Sequence, residues 1–391
     1  MATKGTWNQA NIRKTNPVFS PFRVTIETPF YANNIYPVSN VKEAYEMAKD
    51  SPGTIVTSLK VKDPERIGLD NNAHVLLFND GAVYGRCAAA RRIYGQPGIE
   101  VAEFSSILRE AIYKTRYRQL YQAEAVIGLD PDFMVRARLC VPEEHENILY
   151  NWMLNFQPID EKYYQMYQQS HVLEKEGDIL VFSDPDWSDP RFPLGLSFFD
   201  PKTNCAAILG MRYFGEFKKG TLTLAWNIAN KNGYVSCHGG LKKYDLKEKG
   251  AYVIAFFGLS GSGKSTLTHA KHGGKYDISI LHDDAFVISK SNGSSIALEP
   301  TYFDKTADYP SDFPDNAFLL TVQNNGATLN EKDEIVLVPE DMRNGNGRAI
   351  KSRYWAPNRV DKMGEPIQTI VWLMQDPTIP PLLKINDPVT A

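Results

Sequence analysis

The residue types of a phosphate-binding loop occur in the second half of this 391-residue chain, in the segment GLSGSGKS (258–265). The segment fits the pattern GxxxxGK(S/T), follows an apolar run typical of a strand, and precedes residues that can open a helix. Glycines let backbone N–H groups approach phosphate oxygens, Lys264 would meet the β- and γ-phosphates, and the Ser265 hydroxyl can ligate Mg²⁺. The alternative is a glycine-rich turn with a surface lysine, but a chance match is much rarer between a strand and a helix. The predicted nucleotide-binding residues are Gly258, Ser260, Gly261, Ser262, Gly263, Lys264, Ser265 and Thr266.

Two adjacent aspartates, Asp283 and Asp284, end a second apolar run in the segment YDISILHDDAF. A carboxylate on a strand next to the phosphate loop would hold the metal ion of the nucleotide. The alternative is that the pair merely caps a strand end. The chain between Lys264 and the aspartates has room for only one short helix or turn. That spacing is typical of phosphoenolpyruvate carboxykinases and of HPr kinase/phosphorylase, whereas most P-loop NTPases carry the acidic strand much further along the chain.

Other segments resemble the ATP-type phosphoenolpyruvate carboxykinases in particular. RYFGEFKKG, which begins the segment 212–240, resembles the family motif YGGEMKKG, and a histidine segment follows in both. The phosphate loop is similar to GLSGTGKTT, and LHDDAF stands where the family has GDDEH. EPTYFDKT (299–306) looks like EGGxYxKT, and SRYWAP (352–357) looks like TRxxYP. In the N-terminal half, only GAVYGRCAAARR (81–92) looks like a family motif, the substrate loop GRSPKDK, so the resemblance is strong over about 200–380 and weak before it.

The resemblance implies a Mn²⁺ site formed by Lys219, His238 and Asp284. An ammonium group has no lone pair, so Lys219 would have to be neutral, and burial, the neighbouring Lys218 and the cation would all lower its pKa. By residue type alone, the two lysines would read as a solvated turn and His238 as a core histidine. Their spacing to the phosphate loop, which the family shares, favours the metal site.

The resemblance also implies the reaction: oxaloacetate and ATP give phosphoenolpyruvate, CO₂ and ADP, reversibly, as a gluconeogenesis-type step. Loss of CO₂ leaves an enolate, which Mn²⁺ would stabilise and which would then take the γ-phosphoryl group. The implied residues divide by role. The catalytic ones are Lys219, Lys264, Arg353 and Asp283; the substrate-binding ones are Arg86, Tyr213 and Arg353; two further nucleotide-binding ones are Glu299 and Lys305; and Mg²⁺ would bind Ser265.

Three departures from the family pattern leave other functions open. The substrate loop reads CAAARR after its first arginine, and HDDAF lacks the acid and the histidine that follow the family's aspartates. The chain also stops before the family's arginine and threonine that clamp adenine, so we expect either a shortened form or a different organisation of nucleotide binding. The alternatives are a kinase for another small-molecule or protein acceptor, and an inactive nucleotide-binding regulator. A kinase would not need the lysine–histidine pair or two substrate arginines, including Arg86, which could instead belong to a solvated basic surface.

The bulk composition restricts the class of partner. A net charge of −3 and a pI near 6.2 give no electrostatic footprint for nucleic acid or an anionic membrane. The four cysteines form no CxxC pair, which is typical of free thiols in a reducing compartment. The N-terminus lacks a signal-peptide core, and no apolar window is long enough to span a bilayer. We therefore expect a cytoplasmic protein that binds small molecules.

The pattern of segments predicts an α/β fold. We expect a divergent substrate-binding domain over 1–238 and a P-loop-containing, carboxykinase-like nucleotide-binding domain over 239–391, with the active site in the cleft between them. Hydrophobic periodicity and turn residues predict the individual elements. These are a helix over 41–50, a strand and turn over 74–80, a long helix over 103–125, β-rich segments over 220–240, a lysine-rich connector over 241–250, and a buried strand within 367–376.

Overall fold

The computed structural model describes most of the chain. The described residues are 20–79, 86–172, 176–306, 313–338, 346–380, 382–387 and 389. The predicted Asp80–Gly81 turn and the first five residues of the segment 81–92 lie outside them.

The described part of the chain contains seven α-helices. They are α1 (Arg23–Glu27), α2 (Val41–Asp50), α3 (Val101–Lys114), α4 (Glu146–Asn155), α5 (Glu161–Gln168), α6 (Phe214–Lys231) and α7 (Lys264–His269). None of these helices is both long enough and apolar enough to cross a bilayer.

The β-strands, numbered in chain order, are mostly short. They are β1 (Ile35–Pro37), β2 (Thr54–Lys60), β3 (His74–Phe78), β4 (Arg91–Ile93), β5 (Leu120–Asp130), β6 (Phe133–Pro142), β7 (Gln157–Pro158), β8 (Ile179–Asp184), β9 (Leu196–Asp200), β10 (Cys205–Leu209), β11 (Tyr234–His238), β12 (Gly240–Asp245), β13 (Ala251–Gly258), β14 (Asp277–His282), β15 (Ala285–Ser289), β16 (Ser295–Ala297), β17 (Tyr302–Lys305), β18 (Leu319–Gln323), β19 (Gly326–Leu329), β20 (Ile335–Val338), β21 (Arg348–Lys351), β22 (Lys362–Met363) and β23 (Thr369–Leu373). Together with the helices they confirm the predicted mixed α/β class.

The largest sheet has the order β1-β5-β6-β8-β10-β9-β4, with β7 added to β5. Its central strands are buried on both faces because α4 and α6 pack on one face and α1 and α3 on the other, and every residue of β6 is buried. The fully buried Tyr150 and Trp152 fix α4 in this core. Helix α6, which carries Lys218 and Lys219, is therefore packed against the main core along its length.

Three smaller sheets surround the candidate site. Strands β17-β21-β18-β3-β2 form one, β14-β12-β13-β23 a second and β11-β15-β16-β22 a third. Strand β3 pairs with β18 in parallel, so strands from both sides of residue 238 share a sheet. The predicted division into domains 1–238 and 239–391 stays a prediction.

The predicted helix over 41–50 is confirmed with the same bounds. The side chain of Asn40 caps it by accepting a hydrogen bond of 2.9 Å from the Glu43 N–H, while the Glu43 carboxylate accepts one from the Ser39 N–H. These reciprocal bonds satisfy N–H groups that a helix start leaves unpaired. The predicted strand over 74–80 is confirmed as β3.

Two long-segment predictions were wrong. The helix predicted over 103–125 ends at Lys114, and β5 begins at Leu120 because that segment pairs with both β1 and β6. The β-rich segment predicted over 220–240 is mostly α6, since Leu224, Ala225, Ile228 and Ala229 form a buried helical stripe. In both cases the local sequence is compatible with a helix and with a strand, and packing against distant segments determines which one forms.

Three predictions about the nucleotide-binding half also need correction. The connector expected over 241–250 is mainly β12, in which Lys242 is fully buried. Strand β12 lies between β13 and β14, so the aspartate-bearing strand is not the direct neighbour of the strand that precedes the phosphate loop. The strand expected within 367–376 exists as β23, but it is an edge strand in which Ile370 and Trp372 are exposed rather than buried.

The cap of α2 offers a local test of how this helix is stabilised. Asn40→Ala removes the side-chain acceptor and should lower the free energy of unfolding by about 1 kcal/mol. Asn40→Asp keeps an acceptor at the same place and should stay near the wild-type value. Urea denaturation of the three proteins measures the difference, and an alanine variant as stable as wild type would contradict the assignment of the cap.

Candidate active site

The centre of the candidate site is the carboxylate of Asp284, which three side chains contact through nitrogen atoms. Lys219 Nζ lies 2.5 Å from Asp284 Oδ1 and 2.7 Å from Oδ2. Lys218 Nζ lies 2.7 Å from Asp284 Oδ2, and His238 Nε2 lies 2.8 Å from Oδ1. Lys218 Nζ is also 3.0 Å from Oε1 of the fully buried Glu299. The structure thus brings together the three residues of the predicted Mn²⁺ set, Lys219, His238 and Asp284.

Two elements deliver the nitrogen atoms to this carboxylate. Lys218 and Lys219 lie in the first half of α6, whose apolar stripe is fixed against the core. His238 is the last residue of β11 and pairs with Ala285 of β15, directly after Asp284. The Gly239 N–H donates to the Asp284 carbonyl oxygen at 3.0 Å, which joins the ends of the two strands. The geometry therefore rests on a helix and a strand pair rather than on a loop.

The charges in this cluster shift one another's pKa values. Burial alone would raise the pKa of Asp284, but Lys218, Lys219 and His238 outweigh burial and hold it well below its usual range. Burial lowers the pKa of Lys219, and Lys218 adds to the decrease, although Asp284 opposes it. The pKa of Lys218 lies above its usual value, because Asp284 and Glu299 together outweigh its burial. Lys219 is therefore the lysine whose proton is held less tightly.

A buried histidine, His282, positions the two aspartates and was missed by the sequence reasoning. Its Nδ1 accepts the Asp284 N–H at 3.0 Å, and its Nε2 lies 3.0 Å from the carbonyl oxygen of Thr301, to which the neutral ring donates. The ring stacks on Tyr302, with 5.1 Å between ring centroids. The available signal was the substitution itself, since LHDDAF has a histidine where the family motif has glycine.

The phosphate loop has the predicted strand–loop–helix context, between β13 and α7. Gly263 has a φ of +96°, a backbone conformation that strains any residue with a β-carbon. Lys264 Nζ donates to the carbonyl oxygens of Gly258, at 2.8 Å, and Leu259, at 3.0 Å. Burial lowers the pKa of Lys264, while the charges of Asp284 and Asp283 oppose that shift, so the lysine lies within the field of both carboxylates.

Asp283 connects this loop to the acidic pair. Its Oδ2 lies 3.5 Å from Nε2 of His269, the last residue of α7, and Ser265 at the start of the same helix lies near enough to lower its pKa. Burial would raise the pKa of Asp283, but the two histidines, His269 and His282, and the Ser265 hydroxyl hold it well below its usual range. Ser265, predicted to hold a metal ion, and Asp283, predicted to support catalysis, are therefore neighbours.

The remaining loop residues are more accessible. Ser260, Gly261 and Thr266 are exposed, and Ser262 is half-buried. The Gly261 carbonyl oxygen accepts a hydrogen bond of 2.8 Å from the side chain of Gln375, which follows β23. The exposed backbone of the loop is compatible with phosphate binding, and the individual contacts stay predictions.

Arg86 lies beside α6 rather than on an open basic surface. Its Nε is 3.2 Å from Glu216 Oε2, and Arg91 Nε is 3.2 Å from Oε1 of the same carboxylate. Glu216 is buried, one helical turn before Lys219, and Tyr213 acts electrostatically on Arg86. The pKa of Arg86 is lowered, chiefly by burial. Sequence reasoning missed Glu216 and assigned Arg91 no role, because neither residue type indicates which arginines a buried carboxylate will hold.

The comparison with protein families agrees with this geometry. A family model described as phosphoenolpyruvate carboxykinase, of the ATP type, matches residues 92–388. The chain belongs to the ATP-type phosphoenolpyruvate carboxykinase family.

Individual relatives are similar over a shorter stretch. A phosphoenolpyruvate carboxykinase (ATP) of Aeropyrum pernix is 28% identical over 229 residues, which are 55% of this chain and 44% of that protein. A phosphoenolpyruvate carboxykinase (ATP) 2 of Salinibacter ruber is 26% identical over 238 residues, 54% and 43% of the two chains. That of Candida glabrata is 27% identical over 183 residues, 42% and 29%. The matched region thus spans less than half the length of each of these relatives.

Arg353, which matches the family motif TRxxYP, is held apart from the Asp284 cluster by its own partners. Its Nη2 lies 2.9 Å from both carboxylate oxygens of Asp361, and its Nη1 lies 3.4 Å from the Tyr163 hydroxyl. It lines a cavity of about 750 Å³ together with Arg66 and Lys162. None of its described contacts reaches Lys219 or His238, so its predicted position in the carboxykinase cleft stays a prediction.

Glu299 and Lys305, the other two predicted nucleotide-binding residues, differ in exposure. Glu299 is fully buried between Lys218 and Asn155, whose Nδ2 donates to Oε2 at 2.8 Å. Lys305 is exposed at the end of β17, opposite Arg348. The position of Glu299 supports the Asp284 cluster directly, and its contact with a nucleotide stays a prediction.

The donor set around Asp284 fits a divalent cation of the carboxykinase type. Among the described residues no three histidine, cysteine, aspartate or glutamate side chains converge, because the third donor here is the Lys219 amine. An imidazole, a carboxylate and a neutral amine are all ligands that Mn²⁺ accepts. His238 Nε2 and Lys219 Nζ already approach the same oxygen, Asp284 Oδ1, so the three donors face a common point.

The buried His282 generates a prediction about pH and stability. Burial lowers its pKa to about 4, from an ordinary value of 6.5, with Asp283 only partly offsetting burial. The unfolded chain therefore takes up the proton first as the pH falls. The free energy of unfolding should drop by about 1.4 kcal/mol per pH unit between 6.5 and 4 on account of this residue, and no further below about 4.

His282→Gln cannot titrate and isolates this contribution. Urea denaturation at several pH values should show the wild-type advantage over His282→Gln shrinking from neutral pH to about pH 4. His171→Gln, at an exposed histidine, is the control and should follow the wild-type profile. A constant difference between wild type and His282→Gln across this range would contradict the buried neutral ring.

Proposed function

We propose that this protein converts oxaloacetate and ATP into phosphoenolpyruvate, CO₂ and ADP, reversibly, in a P-loop nucleotide-binding domain that faces a divergent N-terminal substrate domain. One observation carries the proposal. The consecutive residues Asp283 and Asp284 face two different groups. Asp283 Oδ2 lies 3.5 Å from His269 Nε2 at the end of α7, the helix that follows the phosphate loop, and Asp284 contacts the Lys219–His238 pair. A nucleotide phosphate and an enolate oxygen could therefore be held side by side, as phosphoryl transfer between them requires.

The proposed carboxylate-binding group is Arg86. Within the described part of the chain Arg86 donates only its Nε–H, to Glu216, so both terminal nitrogens of the guanidinium could make a bidentate contact with oxaloacetate. Tyr213, at the start of α6, lies close enough to Arg86 to act on its charge and would orient the same substrate. Loss of CO₂ would then leave the enolate beside the face of α6 that carries Lys219.

The phosphate loop would bind the nucleotide. Lys264 at present donates to two carbonyl oxygens of its own loop, and a triphosphate would offer it stronger, charged acceptors. Ser265 and Asp283 would hold the Mg²⁺ of the nucleotide, and Arg353 would approach the γ-phosphate if released from Asp361. In γ-phosphoryl transfer these residues would align the enolate oxygen with the phosphate and would neutralise the negative charge of the phosphoryl group.

Lys219, His238 and Asp284 would hold Mn²⁺ in this proposal. When bound, the cation supplies a Lewis acid that stabilises the enolate. Lys219 is suited to this role because burial and Lys218 both favour its neutral form.

The proposal is tested by measuring phosphoenolpyruvate formation from oxaloacetate, with ATP and then GTP, in the presence of Mg²⁺ and Mn²⁺. The full chain should form phosphoenolpyruvate and ADP in equal amounts. ATP hydrolysis or phosphorylation of another acceptor, without oxaloacetate-dependent phosphoenolpyruvate, would favour the alternative kinase. Nucleotide binding without any turnover would favour the regulator.

Lys264→Ala tests the phosphate loop. Because one preorganised charge contact is lost, kcat should fall by roughly 100- to 1,000-fold while the far-ultraviolet circular dichroism stays unchanged. Lys271→Ala, at an exposed lysine just after α7, is the matched control and should keep wild-type activity. A Lys264→Ala enzyme with full activity would remove the phosphate loop from the mechanism.

Arg86→Gln tests the substrate contact. Glutamine can still donate a hydrogen bond to Glu216, so the variant should fold, but kcat/KM for oxaloacetate should fall by about 100-fold with the lost charged contact. Nucleotide affinity, measured by calorimetry, should be nearly unchanged. Arg92→Gln changes an arginine without a described carboxylate partner and serves as the control. Equal kcat/KM values for Arg86→Gln and wild type would show that the substrate segment has been misassigned.

A further inference from the structure

A second, smaller cavity of about 100 Å³ lies between the end of β3 and the start of α6. Its walls include Phe78 and Asn79 at the end of β3, and Arg212 and Phe214 on either side of Tyr213. The remaining polar lining comes from His145, Asn147, Asn151 and Gln323. The cavity is thus distinct from the Asp284 cluster and from the phosphate loop.

The side-chain amide of Gln323 lines this cavity and is buried without a hydrogen-bond partner in the described structure. Its side chain is on the last residue of β18, is 1% exposed, and has no hydrogen-bond partner on either amide atom within the described structure. Buried amides are almost always paired, as Asn151 is with the Thr321 hydroxyl in the same region. An unpaired buried amide that lines a cavity indicates that a hydrogen-bonding molecule completes it.

The other polar groups define what that molecule must offer. The Asn151 carbonyl oxygen accepts from the Thr321 hydroxyl at 2.6 Å, which leaves the NH₂ end of the amide for the cavity. Arg212 uses Nη2 to contact Asp186 Oδ1 at 2.6 Å and has further N–H groups at the cavity rim. The cavity therefore presents mainly donors and calls for a ligand rich in acceptors.

The volume of the cavity and the charges around it restrict the class of ligand further. A volume of 100 Å³ corresponds to about three water molecules at roughly 30 Å³ each. Asp186 accepts hydrogen bonds or ion pairs from His145, Arg118 and Arg212, and its pKa is lowered to about 2 because these contacts outweigh its burial. With the charge of Arg212 partly balanced by Asp186, a small monoanion fits better than a phosphate.

We propose that this cavity binds a small planar carboxylate, with Gln323 and Asn151 as donors to its oxygens and Arg212 at the rim. The planar O–C–O group matches the amide and guanidinium donors, and its size matches the volume. Because β3 leads into the Arg86 segment and Phe214 follows Tyr213, a bound carboxylate would stabilise the walls next to the proposed substrate site. The proposal concerns binding alone and does not depend on the reaction proposed above.

The test uses sodium formate as the probe and sodium chloride at equal ionic strength as the reference. The melting temperature of the full chain should rise with formate in a saturable way, beyond any effect of chloride. Gln323→Leu removes both amide atoms while keeping the size of the side chain, and should lose the formate-specific rise. Gln165→Leu, at a distant glutamine on α5, should keep it. The absence of a formate-specific rise in wild type, or an equal rise in Gln323→Leu, would overturn the proposal.

A crystal structure keeps the proposal falsifiable if Gln323→Leu does not fold. Wild-type crystals soaked in formate should show a planar three-atom density within hydrogen-bond distance of the Gln323 and Asn151 amides. Density for separate water molecules only, unchanged by formate, would overturn it. Both measurements omit oxaloacetate and nucleotide, so their outcome is separate from that of the activity assays.

Discussion

The pairing of the Asp284 carboxylate with Lys218, Lys219 and His238 is the interaction on which the rest of the site depends. Lys218 and Glu299 are fully buried, where an unpaired charge would cost several kcal/mol and where removal of one partner of the ion pair is strongly destabilising. Glu299 balances the second lysine, so the cluster contains two carboxylates and two ammonium groups that are each in contact with the opposite sign. The exchange of Asp284 contacts for a metal ion is feasible because Lys219 is the lysine that burial favours in its neutral form.

This constraint explains why distant parts of the chain converge. The lysines come from α6, His238 from the end of β11, and Glu299 from the segment between β16 and β17. His282 fixes the backbone at Asp284, because its Nδ1 accepts the Asp284 N–H. Asp283 in turn lies next to α7, the helix that follows the phosphate loop, with its Oδ2 3.5 Å from His269 Nε2. The aspartates lie between β14 and β15, so a change of register in either of these strands would separate them from their partners. The chemistry of the site therefore depends on the packing of the small sheets.

Much of the site could be predicted from the sequence because its motifs are local. The phosphate loop, the aspartate pair and the α6 lysines each follow a recognisable short pattern, and their contacts agree with the predicted grouping around Asp284. The helix over 41–50 was equally local, since its cap and its apolar spacing lie within one segment. For Arg353 the short motif did not predict the partners of the side chain. Its contacts with Asp361 and Tyr163 depend on how separate elements pack.

What the sequence did not predict is non-local in each case. The segment from Leu120 has helical spacing, yet it pairs between β1 and β6, and the apolar run after Lys219 could have formed either a strand or a helix. Strand β12 contains a fully buried lysine, Lys242, whose pKa burial lowers to about 8, and no composition rule would place such a residue inside a sheet. The contacts of Glu216 with two arginines and the unpaired amide of Gln323 likewise appear only once the elements are packed.

We propose that Asp284, Lys219 and His238 form one cation site next to the phosphate loop. Crystals of the full chain grown with Mn²⁺ and without nucleotide, measured at the manganese absorption edge, test it most directly. We expect an anomalous-difference peak within about 2.0–2.5 Å of Lys219 Nζ, His238 Nε2 and an Asp284 carboxylate oxygen, with the Lys219–Asp284 ion pair broken. A map without a peak at this point, with Lys219 still paired to Asp284 at saturating Mn²⁺, would contradict it.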